Sequence, residues 1–75
     1  MPTLQRFDNA RVVMYLDDHP PLHVHVRLRD GRECTVEIDS LEVNGRIVQR
    51  EIREALVWVE ANKVFLHDEW RRCCP

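Results

Sequence analysis

The sequence predicts an α+β domain: an antiparallel sheet of about four strands with two C-terminal helices packed on one face. Three observations carry this. Apolar residues alternate with polar ones in steps of two across residues 23–29 and 33–39, the mark of half-buried strands. From Val48 onward the spacing becomes helical. Strands come first and helices last, so the helices must cover the apolar face of a sheet already formed.

The length of 75 residues allows one domain, 1–75, which buries only roughly 60–65% of its unfolded surface. Its first strand is read at residues 3–7, as hairpin partner of a second at 11–16. There RVVMYL is β-branched and aromatic and is bounded by Asp8-Asn9 and Asp17-Asp18. In HVHVRLR, residues 23–29, Val24, Val26 and Leu28 take one side and His23, His25, Arg27 and Arg29 the other. The fourth strand, 33–39, turns Cys34, Val36 and Ile38 inward.

Parity constrains how these last two strands pair. A two-residue loop of Asp30-Gly31 sets Leu28 against Glu33 and mixes apolar with charged groups on both faces. A three-residue loop, Asp30-Gly31-Arg32, pairs Leu28 with Cys34, Val26 with Val36 and Val24 with Ile38. It also sets Arg29 opposite Glu33, His25 opposite Glu37 and His23 opposite Asp39. Gly31 then falls mid-loop rather than at the third position that such loops favour. LEVNGR, after Ser40, reads as a short strand or turn.

A first helix is expected at about 48–61, with Val48, Ile52, Ala55, Leu56 and Val59 on its inner face. Asn62 ends it or caps the next. The second, about 63–72, carries Phe65, Leu66 and Trp70. Both tryptophans read as core, and His67 as surface.

Eleven basic and thirteen acidic residues give a net charge of -2, which argues against a dedicated nucleic-acid binder. The arginines near 27–32 and 46–53 are interleaved with Glu33, Glu51 and Glu54 and read as an ion-paired surface. No apolar run approaches the ~20 residues of a membrane span, so no membrane partner is expected and a cytoplasmic location is. Three cysteines, two of them adjacent (Cys73, Cys74), make a poor disulfide framework. Cys34 reads as a small buried hydrophobe.

The candidate site is HPPLHVH, which holds three of the four histidines. Pro20 and Pro21 stiffen the approach to the strand and bring His19 close to it, while His23 and His25 project from one face. With Glu37 and Asp39 opposite, three imidazoles and two carboxylates form a group able to bind a partner or to act as acid and base. The same set is ligand chemistry for zinc, nickel or iron. A solvated, ion-paired sheet face is the simplest reading, and on it no cofactor and no metal is expected. No glycine-rich phosphate loop, Cys-x-x-Cys, His-Glu-x-x-His or nucleophile elbow is present.

Met1-Pro2-Thr3, Phe7, Met14, Asp18-His19-Pro20-Pro21 with His23 and His25, Gly45, Trp58, Leu66 and Trp70 together resemble the small bacterial family called domain of unknown function 4160. The chain departs from its usual pattern at Leu22 and Val24. Members look like stand-alone proteins encoded beside another small domain, as in toxin–antitoxin pairs. The resemblance therefore implies an interaction module, one half of such a pair, that meets a small protein partner encoded by a neighbouring gene. A binding site of His19, Pro20, Pro21, His23, His25, Glu37 and Asp39 serves that reading. The alternative is a metal-dependent hydrolase or nuclease with His19, His23, His25 and Glu37 or Asp39 as ligands.

Overall fold

The computed structural model describes residues 3–74; Met1 and Pro2, which contribute to the family resemblance, and Pro75 lie outside them. Five antiparallel strands follow one another in space as in sequence: β1 Thr3–Arg6, β2 Ala10–Val13, β3 His23–Leu28, β4 Glu33–Glu37 and β5 Val43–Asn44. A 3-10 turn, Gln49–Ile52, leads into α1 Arg53–Ala61 and α2 Lys63–Cys73. The α+β class and the two C-terminal helices are as expected. LEVNGR adds a fifth strand of two residues, and β2 ends at Val13, three residues short of the expected 16.

The β3–β4 register corrects the sequence-based pairing by two residues. His23 faces Glu37, Val24 faces Val36, His25 faces Thr35, Val26 faces Cys34 and Arg27 faces Glu33. A shift of two keeps every side chain on its expected face, so the inside–outside division stands while each predicted cross-strand pair is wrong. The cause lies in the turn. Gly31 N–H donates to Leu28 O at 3.0 Å and Leu28 N–H to Arg32 O at 2.8 Å, so the loop is Arg29-Asp30-Gly31. Gly31, at φ +98, thus occupies the third position, where a positive φ is required.

Ala10, Val12, Val24, Val26, Cys34 and Val36 form the inner face, closed by Ile52, Ala55, Val59, Leu66 and Trp70 from the helical segment. Each large apolar side chain so buried contributes about 1.5–3 kcal/mol. Two helix-face assignments need correction. Val48 is exposed: it precedes the 3-10 turn, its N–H donating to Glu51 Oε2 at 3.2 Å. Phe65 is also exposed, lying edge-on to Trp58 at 6.5 Å. Asn62 stops α1 by donating its Nδ2 to Trp58 O at 2.8 Å. Gly45, at φ +144, lies so close to β4 that an added Cβ would come 2.8 Å from Cys34 Cβ.

Candidate functional site

The segment between β2 and β3 builds the site. Met14 is fully buried, and Asp17 takes a left-handed conformation, φ 59, which an aspartate tolerates better than most residues. Asp17 N–H donates to Cys73 O at 2.8 Å, tying the turn to the end of α2. Beyond this reversal Asp18 reaches the histidine-bearing face of the sheet, and a cis Pro20–Pro21 bond precedes Leu22 and β3.

Both imidazoles converge there on one carboxylate oxygen. Asp18 Oδ2 is 2.9 Å from His23 Nε2 and 3.0 Å from His25 Nε2. The three ligand atoms lie within 4.8 Å of one another, and the residues are part-buried. Each ring is held from behind: His23 Nδ1 donates to Pro21 O at 2.7 Å, and His25 Nδ1 meets Glu33 Oε2 at 2.8 Å. Glu33 Oε1 in turn accepts from Arg27 Nε at 3.2 Å. Tyr15 lies edge-on to His25 at 4.4 Å, and Trp70 is tilted against His23 at 5.3 Å.

Hydrogen-bond accounting limits what this arrangement can be. A carbonyl only accepts, so His23 Nδ1 carries a proton; a neutral ring then presents a bare Nε2 lone pair to an Asp18 oxygen that also only accepts. The same holds for His25 between two carboxylates. Protons on the rings or on the carboxyl groups, or a cation in their place, must stand between these atoms. A carbonyl or carboxylate behind each ring is also how proteins orient histidine ligands of metals.

Burial pushes the Asp18 carboxyl up, but the His25 hydrogen bond, the His23 charge and the His19 N–H outweigh it and hold it below the usual carboxylate range.

The scan against protein families finds the model for domain of unknown function 4160 matching residues 9–71. The chain belongs to this family. No curated protein and no solved structure matches it.

Within this DUF4160 domain the residues singled out in the sequence separate into three groups. His23 and His25 enter the cluster. His19, Pro20, Pro21 and Glu37 line, with His23, a shallow hollow of about 230 Å³ beside it; the His19 ring itself is 92% exposed and does not join Asp18 Oδ2. Asp39, expected opposite His23, instead accepts from His67 Nε2 at 2.8 Å, while its carbonyl accepts from Lys63 Nζ at 2.9 Å. Glu33 pairs with Arg27, not with Arg29. Asp18, Glu33, Tyr15 and Trp70 were not singled out for the site. The one signal for Asp18 was its place in Asp-His-Pro-Pro, where it read as a strand boundary.

Among the described residues no helix is long and apolar enough to cross a membrane. Cys34 is buried as expected, and burial together with the Glu33 charge pushes its thiol up to about 11.

Proposed function

We propose that the DUF4160 domain holds a divalent transition-metal ion on Asp18, His23 and His25 and uses it in hydrolysis. The observation that carries this reading is the convergence of both Nε2 atoms on Asp18 Oδ2, at 2.9 and 3.0 Å, with both Nδ1 atoms already engaged. Ligand atoms about 2 Å from a common ion stand roughly 3 Å apart, the separation that each Nε2 already keeps from Asp18 Oδ2. Two histidines and a carboxylate on one side of an ion leave positions for water and substrate, and the chemistry such an ion supplies is activation of water and polarisation of an ester oxygen. Glu37 and Thr35 line the adjoining hollow, where Glu37 is placed to handle a proton. Isothermal titration with zinc, cobalt and manganese tests the assignment: one ion per chain is expected for the native protein, with at least tenfold weaker binding after Asp18→Asn. Absence of stoichiometric binding by all three would reject it.

A second reading is favoured by a different surface. Val57 and Val64 are 61% and 80% exposed on α1 and α2, apolar surface available to a protein partner. On this reading the domain is an interaction module, one half of a toxin–antitoxin-like pair. Co-expression with the product of the neighbouring gene should then give a stable complex that Val57→Lys and Val64→Lys disrupt, while Asp18→Asn leaves it intact.

A further inference from the structure

Three arginines stand directly opposite one another across three adjacent strands. Arg6 of β1 faces Arg11 of β2, and Arg11 faces Arg27 of β3. Like charges in directly opposed positions destabilise a sheet, and only Arg27 in this row has a carboxylate partner, Glu33, among the described residues. Arg29 reaches the same region, donating Nη1 to the carbonyl of Asp8 at 3.3 Å. The four arginines line a groove of about 600 Å³ between the β1–β2 and β3–β4 turns, with Phe7 and Leu28 also in its lining. Asp8 is the single carboxylate there.

We infer that this groove is a binding site for a single strand of nucleic acid, its phosphates on the arginine row and a base against Phe7. Arg6 and Arg11, opposed to each other with no carboxylate partner among the described residues, need anions to relieve their repulsion, and arginine suits phosphate oxygens by its planar fork of donors. Phe7 packs partly against the core and lines the groove with the rest of its side chain, apolar surface that a base covers and that an acidic peptide would not use. The net charge of -2 describes the whole chain, whereas the field at the groove is set by four arginines against Asp8 and the Glu33 paired with Arg27. Arg27 and His25 are two residues apart on one face of β3, roughly 7 Å, and Glu33 touches both. The row crosses the strands and ends on β3 at Arg27, facing Glu33 of β4, so the Asp18–His23–His25 cluster lies to its side, one step along β3, within reach of a strand that bends past Arg27. This names the substrate class of the proposed metal centre and rests on that reading for the reaction, but not for binding.

The test is fluorescence anisotropy with fluorescein-labelled RNA and DNA single strands of about eight nucleotides, at low salt with a chelator present, so that metal plays no part. Saturable binding is expected, weakening as salt rises by about 0.7 in log–log slope per phosphate contact. The double variant Arg6→Ala/Arg11→Ala should bind at least tenfold more weakly and show a smaller slope, while Arg72→Ala, at an exposed arginine of α2 outside the groove, should bind like the native protein. If the double variant loses its far-ultraviolet dichroism, Arg29→Ala takes its place with the same expected direction. Equal binding of RNA and DNA supports contact through phosphates. Lack of saturable binding, an unchanged affinity in the folded arginine variants, or equally tight binding of an oligoglutamate peptide would overturn the inference. Strand binding without stoichiometric metal uptake would instead leave the groove standing and remove the metal centre.

Discussion

Asp18 and His25 meet at 3.0 Å although they stand seven positions apart with the cis Pro20–Pro21 bond between them. The contact fastens the β2–β3 connection onto the sheet and makes the polar cluster a structural element as well as a candidate site. Replacing Asp18 with Asn keeps the volume and removes the charge that two imidazoles share. Urea unfolding at neutral pH should show a loss of about 1–3 kcal/mol, the usual range for a hydrogen bond to a charged group.

Acid should act through the same carboxylate. Asp18 titrates below its ordinary value of 3.8 in the folded chain, so its stabilisation is complete above that value and is lost as pH falls through the folded pKa. Stability measured between pH 6 and 2 should therefore fall more steeply for the native protein than for Asp18→Asn. Parallel curves would show that Asp18 contributes nothing to the acid limb.

The two glycines separate backbone strain from crowding. Both have positive φ, but an added Cβ at Gly31 meets nothing within 4 Å, whereas at Gly45 it meets Cys34 Cβ at 2.8 Å and Cα at 3.0 Å. Gly31→Ala should cost about 1–2 kcal/mol, the conformational penalty alone. Gly45→Ala should cost more, because β4 backbone must also move, and thermal melts should rank the two variants in that order.

Cys34 should be inert in the native state. Its thiol is buried and pushed up to about 11, so little thiolate exists at neutral pH. Mass spectrometry after brief iodoacetamide treatment should find Cys34 unmodified in folded protein and alkylated in urea. Rapid native modification would mean that the β4 inner face opens readily.

The fold was legible where period alone decides. Alternation in HVHVRLR put His23, His25 and Arg27 on one face and Val24 and Val26 on the other, and the structure keeps that division. The pairing was misread because parity cannot separate registers that differ by two residues. The position of Gly31 held the missing information, since a glycine wanted third in the loop selects Arg29-Asp30-Gly31. The cluster was legible only in its two strand histidines. Asp18 joins them through the conformation of Asp17 and the hydrogen bond from Asp17 to the end of α2, a long-range contact that no local spacing encodes. Asp39 was misplaced with the register, and its partner His67 comes from α2, whose docking the strand pattern does not describe.

Histidine ring resonances followed during a zinc titration test the proposed metal centre most directly, because on that proposal the four histidines divide into two ligands and two internal controls. Saturable shifts of His23 and His25 that end at one zinc per chain, with His19 and His67 unmoved, are the predicted result. Rings of His23 and His25 that stay unshifted at stoichiometric zinc, or shifts spread equally over all four, would contradict it.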